Sequence, residues 1–271
     1  MDTPALLRRC HAAIRLAGLA ILMAVTTAPA HAGRSCEPQP PSAQAIERGM
    51  KLAALTQDLL NLSGARVVLL ARAGQDLRRY RLRYSHAGWA YRNEAGAWRI
   101  VHKLNDCGAA DAALYRQGLG EFFLDDPFRF EAAWVVPTAD AQARLIALLG
   151  DDAKVKALHV RPYSVVSYAW GTRYQQSNQW AAELLATAMD GDIRSREQAQ
   201  AWLRYKGYTP TVLQIDAITR LGGRLSAANV AFDDHPNEKR FSDRIETVTV
   251  DSLFSWLQSA RLGGTAQSVR L

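Results

Sequence analysis

The chain has 271 residues and a formal net charge of +7. No stretch reaches eighteen uninterrupted apolar residues, so no integral membrane span is expected. The positive charge is mild: it suits attraction to anionic cell-wall polymer or lipid headgroups and does not call for a nucleic-acid partner.

The N-terminus carries Arg8, Arg9 and Arg15, then the apolar run "LAGLAILMAV" (16–25), then "APAHA" ending in small residues at Ala30 and Ala32. This pattern predicts a secretory signal over 1–32, too short to span a bilayer comfortably. Cleavage takes 271 residues to 239; loss of three arginines and Asp2 takes the charge from +7 to +5. The mature protein is expected to be periplasmic or secreted. Its remaining cysteines, Cys36 and Cys107, would meet an oxidising compartment and are expected to form a disulfide.

Residues 33–42, with "PQPPS", read as a linker, and 43–271 as a single domain, with 195–271 readable as a helical C-terminal extension. Ile46, Met50, Ala54, Leu55, Leu59 and Leu62 recur at helical spacing from Ala43 to Leu62, with Gly64 after them. "ARVVLLA" (65–71) reads as a buried strand. "RYRLRYSHAGWAYR" and "AWRIVHKLN", joined by a turn at "NEAG" (93–96), read as a hairpin of two long strands. "FRFEAAWVV" is a further strand, and Thr138 is placed to cap a helix running to Leu149.

"SNQWAAELLATAM" (177–189) reads as a helix, and "SREQ" (195–198) as a capping box that opens another. Thr209-Pro210 are expected to start a third, closed by Gly222-Gly223. "RIETVTV" reads as a late strand, with Asp251 capping a last helix through Trp256. The order of elements predicts an α+β fold, an antiparallel sheet packed against helices.

Period-2 alternation places Tyr80, Leu82, Tyr84, His86, Gly88 and Ala90 on one face and Arg79, Arg81 and Arg83 on the other. In the partner strand Trp98, Ile100, His102 and Leu104 share a face. Two adjacent strands thus each put one histidine on an otherwise apolar face. Hiding two histidines requires a hydrogen-bond partner for each, so the pair is either a satisfied structural pair or a site. Gly88, one pleat from His86, is expected to leave open space, so that His86 borders a cleft. Ser177 begins an amphipathic helix, where unpaired N–H groups favour an oxyanion. The same residue fits the role of helix N-cap equally well.

The strings "YSHAGWAYR", "WRIVHKLNDCG", "FFLDDPF" and "TRYQQSNQWAAELL" resemble a family of secreted bacterial proteins of unassigned function, a domain of unknown function. More remotely, their order is similar to circularly permuted NlpC-type papain-like hydrolases, which act on amide or ester bonds in cell-wall peptides or lipids. That resemblance implies a papain-like fold, with His86 as general base, His102 as orienter and a nucleophile at Ser177, or at Asn178 if the register slips by one. Neither residue is the cysteine of that family. A serine hydroxyl must lose its proton to the base during attack. The implied activity is that of a hydrolase or acyltransferase on an envelope peptide, glycan or lipid; the alternative is an inactive fold kept for binding or scaffolding.

Two acidic clusters, Asp125-Asp126 and Asp233, Asp234, His235 with Glu238, match no metal-loop spacing and are read as turn chemistry. No metal or cofactor is expected, since there is no phosphate-cradling glycine loop. The sequence carries no signal for oligomeric state.

Overall fold

The computed structural model describes residues 40–106, 108–125 and 127–271. The signal segment and both Cys36 and Cys107 lie outside the described residues.

Helix α1 (Ala43–Leu62) is capped by Ser42, whose hydroxyl accepts the Ala45 N–H, and Gly64 follows it at φ +69°. Strands β1 (Val67–Ala73), β2 (His86–Arg92), β3 (Trp98–Asn105) and β4 (Ala112–Gly118) come next, then the short helix α2 (Leu119–Leu124) and strand β5 (Arg129–Val135). They join β8 (Gln267–Arg270) in a six-stranded sheet of order β4-β3-β2-β1-β5-β8, in which every pairing is antiparallel. Helices follow as α3 (Ala139–Leu149), α4 (Asp152–Lys156), α5 (Ser177–Met189) and α6 (Arg196–Tyr205). Strand β6 (Thr211–Gln214), helices α7 (Ala217–Ser226) and α8 (Asn237–Arg240), strand β7 (Arg244–Thr247) and helix α9 (Val250–Ser259) precede β8. The fold is mixed α+β, with nine α-helices among the described residues.

Alternation along the strands feeds two cores. Ala87, Trp89 and Val101 point to one face and pack with Trp180, Ala181, Leu184 and Leu185 of α5, Leu145 of α3 and Leu253 of α9. Ala90, Trp98, Ile100 and Trp134 point to the other, with Leu52 and Leu60 of α1 and Phe122 and Phe123 of α2. The sheet is thus covered by helices on both faces, and burial of those apolar side chains is the main force holding the layers together.

The segment expected to be the start of a long strand departs from that form. Residues 78–80 make a 3₁₀ turn, Arg81 adopts a left-handed conformation at φ 59°, and β2 begins only at His86. Tyr80 and Leu82 pack instead on a third cluster formed by Leu213, Ile215, Phe232 and Ile245, so tertiary burial overrides the alternating pattern. Arg83, expected on the strand face opposite His86, reaches the buried Glu131 at 2.5 Å.

Three further differences lie in the C-terminal third. Thr209-Pro210 open strand β6, which pairs with β7 and buries Leu213; the helix begins later, capped by Asp216, and contains Gly222-Gly223 rather than ending at them. The last helix is capped by Thr249 in a box with Ser252, with Asp251 inside its first turn, and it runs on to Ser259. Residues 195–271 are not simply helical, because they supply β6, β7 and the edge strand β8.

Candidate functional site

His86 opens β2 and His102 lies in β3. The two rings meet edge-on with centroids 5.1 Å apart, and His86 Nε2 lies 2.8 Å from His102 Nδ1. The other nitrogen of His86, Nδ1, lies 3.1 Å from Ser177 Oγ. The three sequence-predicted residues, from two strands and one helix, therefore form one continuous chain of polar atoms.

Ser177 is free to join that chain because it is not the helix cap. Gln176 takes that role: its side-chain Oε1 accepts the Asn178 N–H at 2.8 Å, and Ser177 is the first helical residue. The Ser177 N–H has no acceptor among the described residues. Asn178, the register-slip alternative, is turned to another task. Its Oδ1 accepts the Ala87 N–H at 3.0 Å and its Nδ2 donates to Val248 O at 3.4 Å. It thus ties α5 to β2 just beyond the last β2–β3 pair, Trp89 with Val101.

The surroundings are dry. His86 keeps 8% of its surface, His102 0% and Ser177 4%. The Phe122 ring packs on both imidazoles, at 5.8 and 5.3 Å between centroids. The open space expected beside Gly88 is filled: a Cβ there would stand 2.7 Å from both His102 Cβ and Ile100 Cγ2. The glycine serves close approach of β3, and His86 is buried rather than lining an open cleft.

Burial sets the protonation of the pair. Desolvation, followed by the nearby Arg72 guanidinium and then His102, holds His86 well below its ordinary value. Desolvation and Arg72 bring His102 down to about 4, with Asp125 and the Gln117 side chain opposing. Both imidazoles are neutral at neutral pH, so one proton is shared along each contact. Neither His102 Nε2 nor Gln117 Oε1 has a hydrogen-bond partner among the described residues, and His102 is taken in the tautomer that carries its proton on Nε2. His102 Nδ1 then accepts from His86 Nε2–H, and His86 Nδ1 is left as an acceptor for the Ser177 hydroxyl.

Arg72 faces His86 across the β1–β2 pairing. It donates to the Phe122 carbonyl and pairs with Asp125, which gives one member of the first acidic cluster a structural partner. In the second cluster Asp234 accepts the Tyr168 N–H and pairs with His235, and Asp233 pairs with Arg173. Among the described residues no group of acidic, histidine or cysteine side chains is arranged to hold a metal.

Two features were not legible in the sequence. Tyr163, in the irregular segment before α5, lies near the Ser177 side chain, and burial raises its phenol to about 12, so it stays protonated at neutral pH. No periodic pattern marks that position. The second is a buried network behind α5. Lys103 donates to Val160 O at 2.6 Å and Gln175 Oε1 at 2.9 Å. Gln175 donates to Glu183 at 2.6 Å, and Glu183 also receives Arg196 at 2.8 and 3.0 Å and Gln200 at 2.9 Å. Desolvation lowers Lys103 to about 7. The network fixes the segment that leads into Ser177.

With this geometry in view, comparison with protein families shows that residues 59–257 fit the model described as an uncharacterized protein conserved in bacteria, DUF2145. The chain belongs to the DUF2145 family. The matched range holds His86, His102, Tyr163 and Ser177 and ends within α9, so the candidate site lies wholly inside the DUF2145 region. No curated protein and no solved structure matches the chain. Among the described residues no helix is long and apolar enough to cross a membrane.

Proposed function

We propose that this DUF2145 protein is an exported hydrolase or acyltransferase that acts on an amide or ester bond of an envelope peptide, glycan or lipid, on a permuted papain-like fold. The observation that carries the proposal is the unbroken series Ser177 Oγ, His86 Nδ1, His86 Nε2, His102 Nδ1, with links of 3.1 and 2.8 Å. His86 takes the hydroxyl proton as Oγ attacks the carbonyl carbon, and returns it to the leaving group. His102 holds the tautomer that makes this possible. Tyr163 and the unpaired Ser177 N–H supply donors beside the developing negative charge. The acyl group is carried on Ser177 until water or a second acceptor removes it.

A serine-directed fluorophosphonate tests this directly. The wild type is expected to be labelled at Ser177, and Ser177→Ala to be silent. A folded wild type that takes no label overturns the catalytic role. One observation favours a second reading, in which the fold serves as a binding or scaffold protein. The orienter is a neutral histidine, and the Arg72 cation disfavours charge on both rings, so among the described residues the imidazolium formed during transfer has no carboxylate hydrogen-bonded to it.

A further inference from the structure

The geometry points to helix α7 as a docking site for the surface of an anionic phospholipid bilayer, a role that stands apart from the chemistry at Ser177. Ile218, Leu221 and Leu225 of α7 are 84%, 60% and 80% exposed. Their spacing of three and four residues puts them in one stripe along the helix. The opposite side of the same helix is anchored: Arg220 is buried and donates to the Ile215 carbonyl and to Asp243 at 2.5 Å. The stripe is therefore held outward by the fold and is not a core face that has lost its cover.

Phe241, 71% exposed, lies two residues before Asp243, the partner of Arg220, and Arg240 stacks on its ring at 4.9 Å. Arg224 on α7 and Arg244 at the start of β7 are exposed, and neither has an acidic partner among the described residues. With Arg220 paired to Asp243 and Lys239 to Glu246, residues 216–226 and 237–244 leave Arg224, Arg240 and Arg244 against Asp216 and Glu238. An apolar stripe bordered by arginines on a short helix has the composition of an interfacial helix: the aliphatic side chains enter the acyl boundary and the guanidinium groups stay at headgroup level. Net positive charge matches an anionic leaflet.

A second copy of this chain is the weaker fit. Seven residues separate Ile218 from Leu225, about 10 Å of helix at 1.5 Å per residue. Three side chains on that length fall well short of the roughly 1,200 Å² that a stable interface buries. A bilayer has no such requirement, because a few inserted side chains combine with electrostatic attraction, each basic residue near the surface contributing about fivefold in affinity.

The test is hydrogen–deuterium exchange of the full chain, read peptide by peptide, with vesicles containing phosphatidylglycerol and with vesicles of phosphatidylcholine alone. Local readout separates α7 from the apolar N-terminal stretch. Slowed exchange in 217–226 and 237–244 is expected with the anionic vesicles and is expected to be weaker with the zwitterionic ones. The double substitution Ile218→Glu/Leu225→Glu, at exposed positions, should abolish that protection while leaving thermal unfolding and fluorophosphonate labelling unchanged. Unchanged exchange in α7 with anionic vesicles overturns the inference. So does protection that grows with protein concentration in the absence of lipid, which would assign the stripe to contact between copies. A failure here leaves the Ser177 chemistry standing, since the label reports on that separately.

Discussion

Gly88 and His102 face each other across β2 and β3 so closely that a methyl group at residue 88 would lie 2.7 Å from the His102 Cβ. Real Cβ atoms do not approach so near, and the other obstacles are Ile100 Cγ2 at 2.7 Å and the Val101 carbonyl at 3.0 Å, which belong to a packed strand. Gly88→Ala must therefore push β3 outward and break the 2.8 Å contact between the histidines. A loss of about 1–3 kcal/mol is expected in denaturant unfolding, with loss of fluorophosphonate labelling. Wild-type stability and labelling in this variant would show that β3 can yield without moving His102.

The role of His102 is separable from its bulk. An asparagine can accept the His86 Nε2–H as the imidazole does, whereas alanine cannot. Labelling of His102→Asn is expected to stay within about tenfold of wild type, while His102→Ala falls by a factor on the order of 10²–10⁴ and also loses about 2–4 kcal/mol of stability from the cavity. Equal losses of labelling in both variants would mean that His102 does not act by holding a tautomer.

Stability should fall on the acid side through these same rings. The folded-state value of His102 is about 4, below its ordinary 6.5, so the unfolded chain binds the proton first. The contribution is complete above about pH 6.5 and is lost as pH falls towards 4, amounting to up to about 3 kcal/mol. His86 is shifted in the same direction, and the half-buried His159, also brought to about 4, adds to the same window. Urea unfolding between pH 7 and 4 is expected to show a shallower loss in His102→Asn than in the wild type. Parallel curves would place the titration elsewhere.

Glu183 is the hub of the network behind α5. It is fully buried and takes hydrogen bonds from Gln175, Arg196 and Gln200. Glu183→Gln keeps the shape and leaves the Arg196 guanidinium, 5% exposed, without its counter-charge. A cost of about 3–5 kcal/mol is expected in chemical unfolding, because an uncompensated buried charge is what such a change leaves behind. A cost below about 1 kcal/mol would show that water or another group reaches Arg196.

Local signals in the sequence carried the helices and the hairpin well. The Thr138 cap, the "NEAG" turn and the Ser195–Gln198 box each act within a few residues, and each closes as its pattern predicts. The two histidines were legible because strand alternation fixes the face of every second residue. What alternation could not show was depth: both helical layers that bury His86 and His102 come from distant segments. Tyr163, Gln117 and Arg72 reach the site from elements whose contacts with it are wholly long-range, so nothing in their neighbourhood marks them. The stretch from Tyr80 to Leu82 misled for the same reason, since its cover is the small β6–β7 sheet more than 130 residues away.

Gln176 caps α5 through its own side chain and, with a second bond to the Val248 carbonyl, secures the start of the helix without help from its neighbour. Position 177 is thereby relieved of the capping duty, and its hydroxyl is left to face His86. A thiol could stand there in place of the hydroxyl with the same helix, the same strands and the same histidine pair around it. Exchanging oxygen for sulfur at that one position would change its acidity and redox sensitivity while leaving the surrounding architecture as it is.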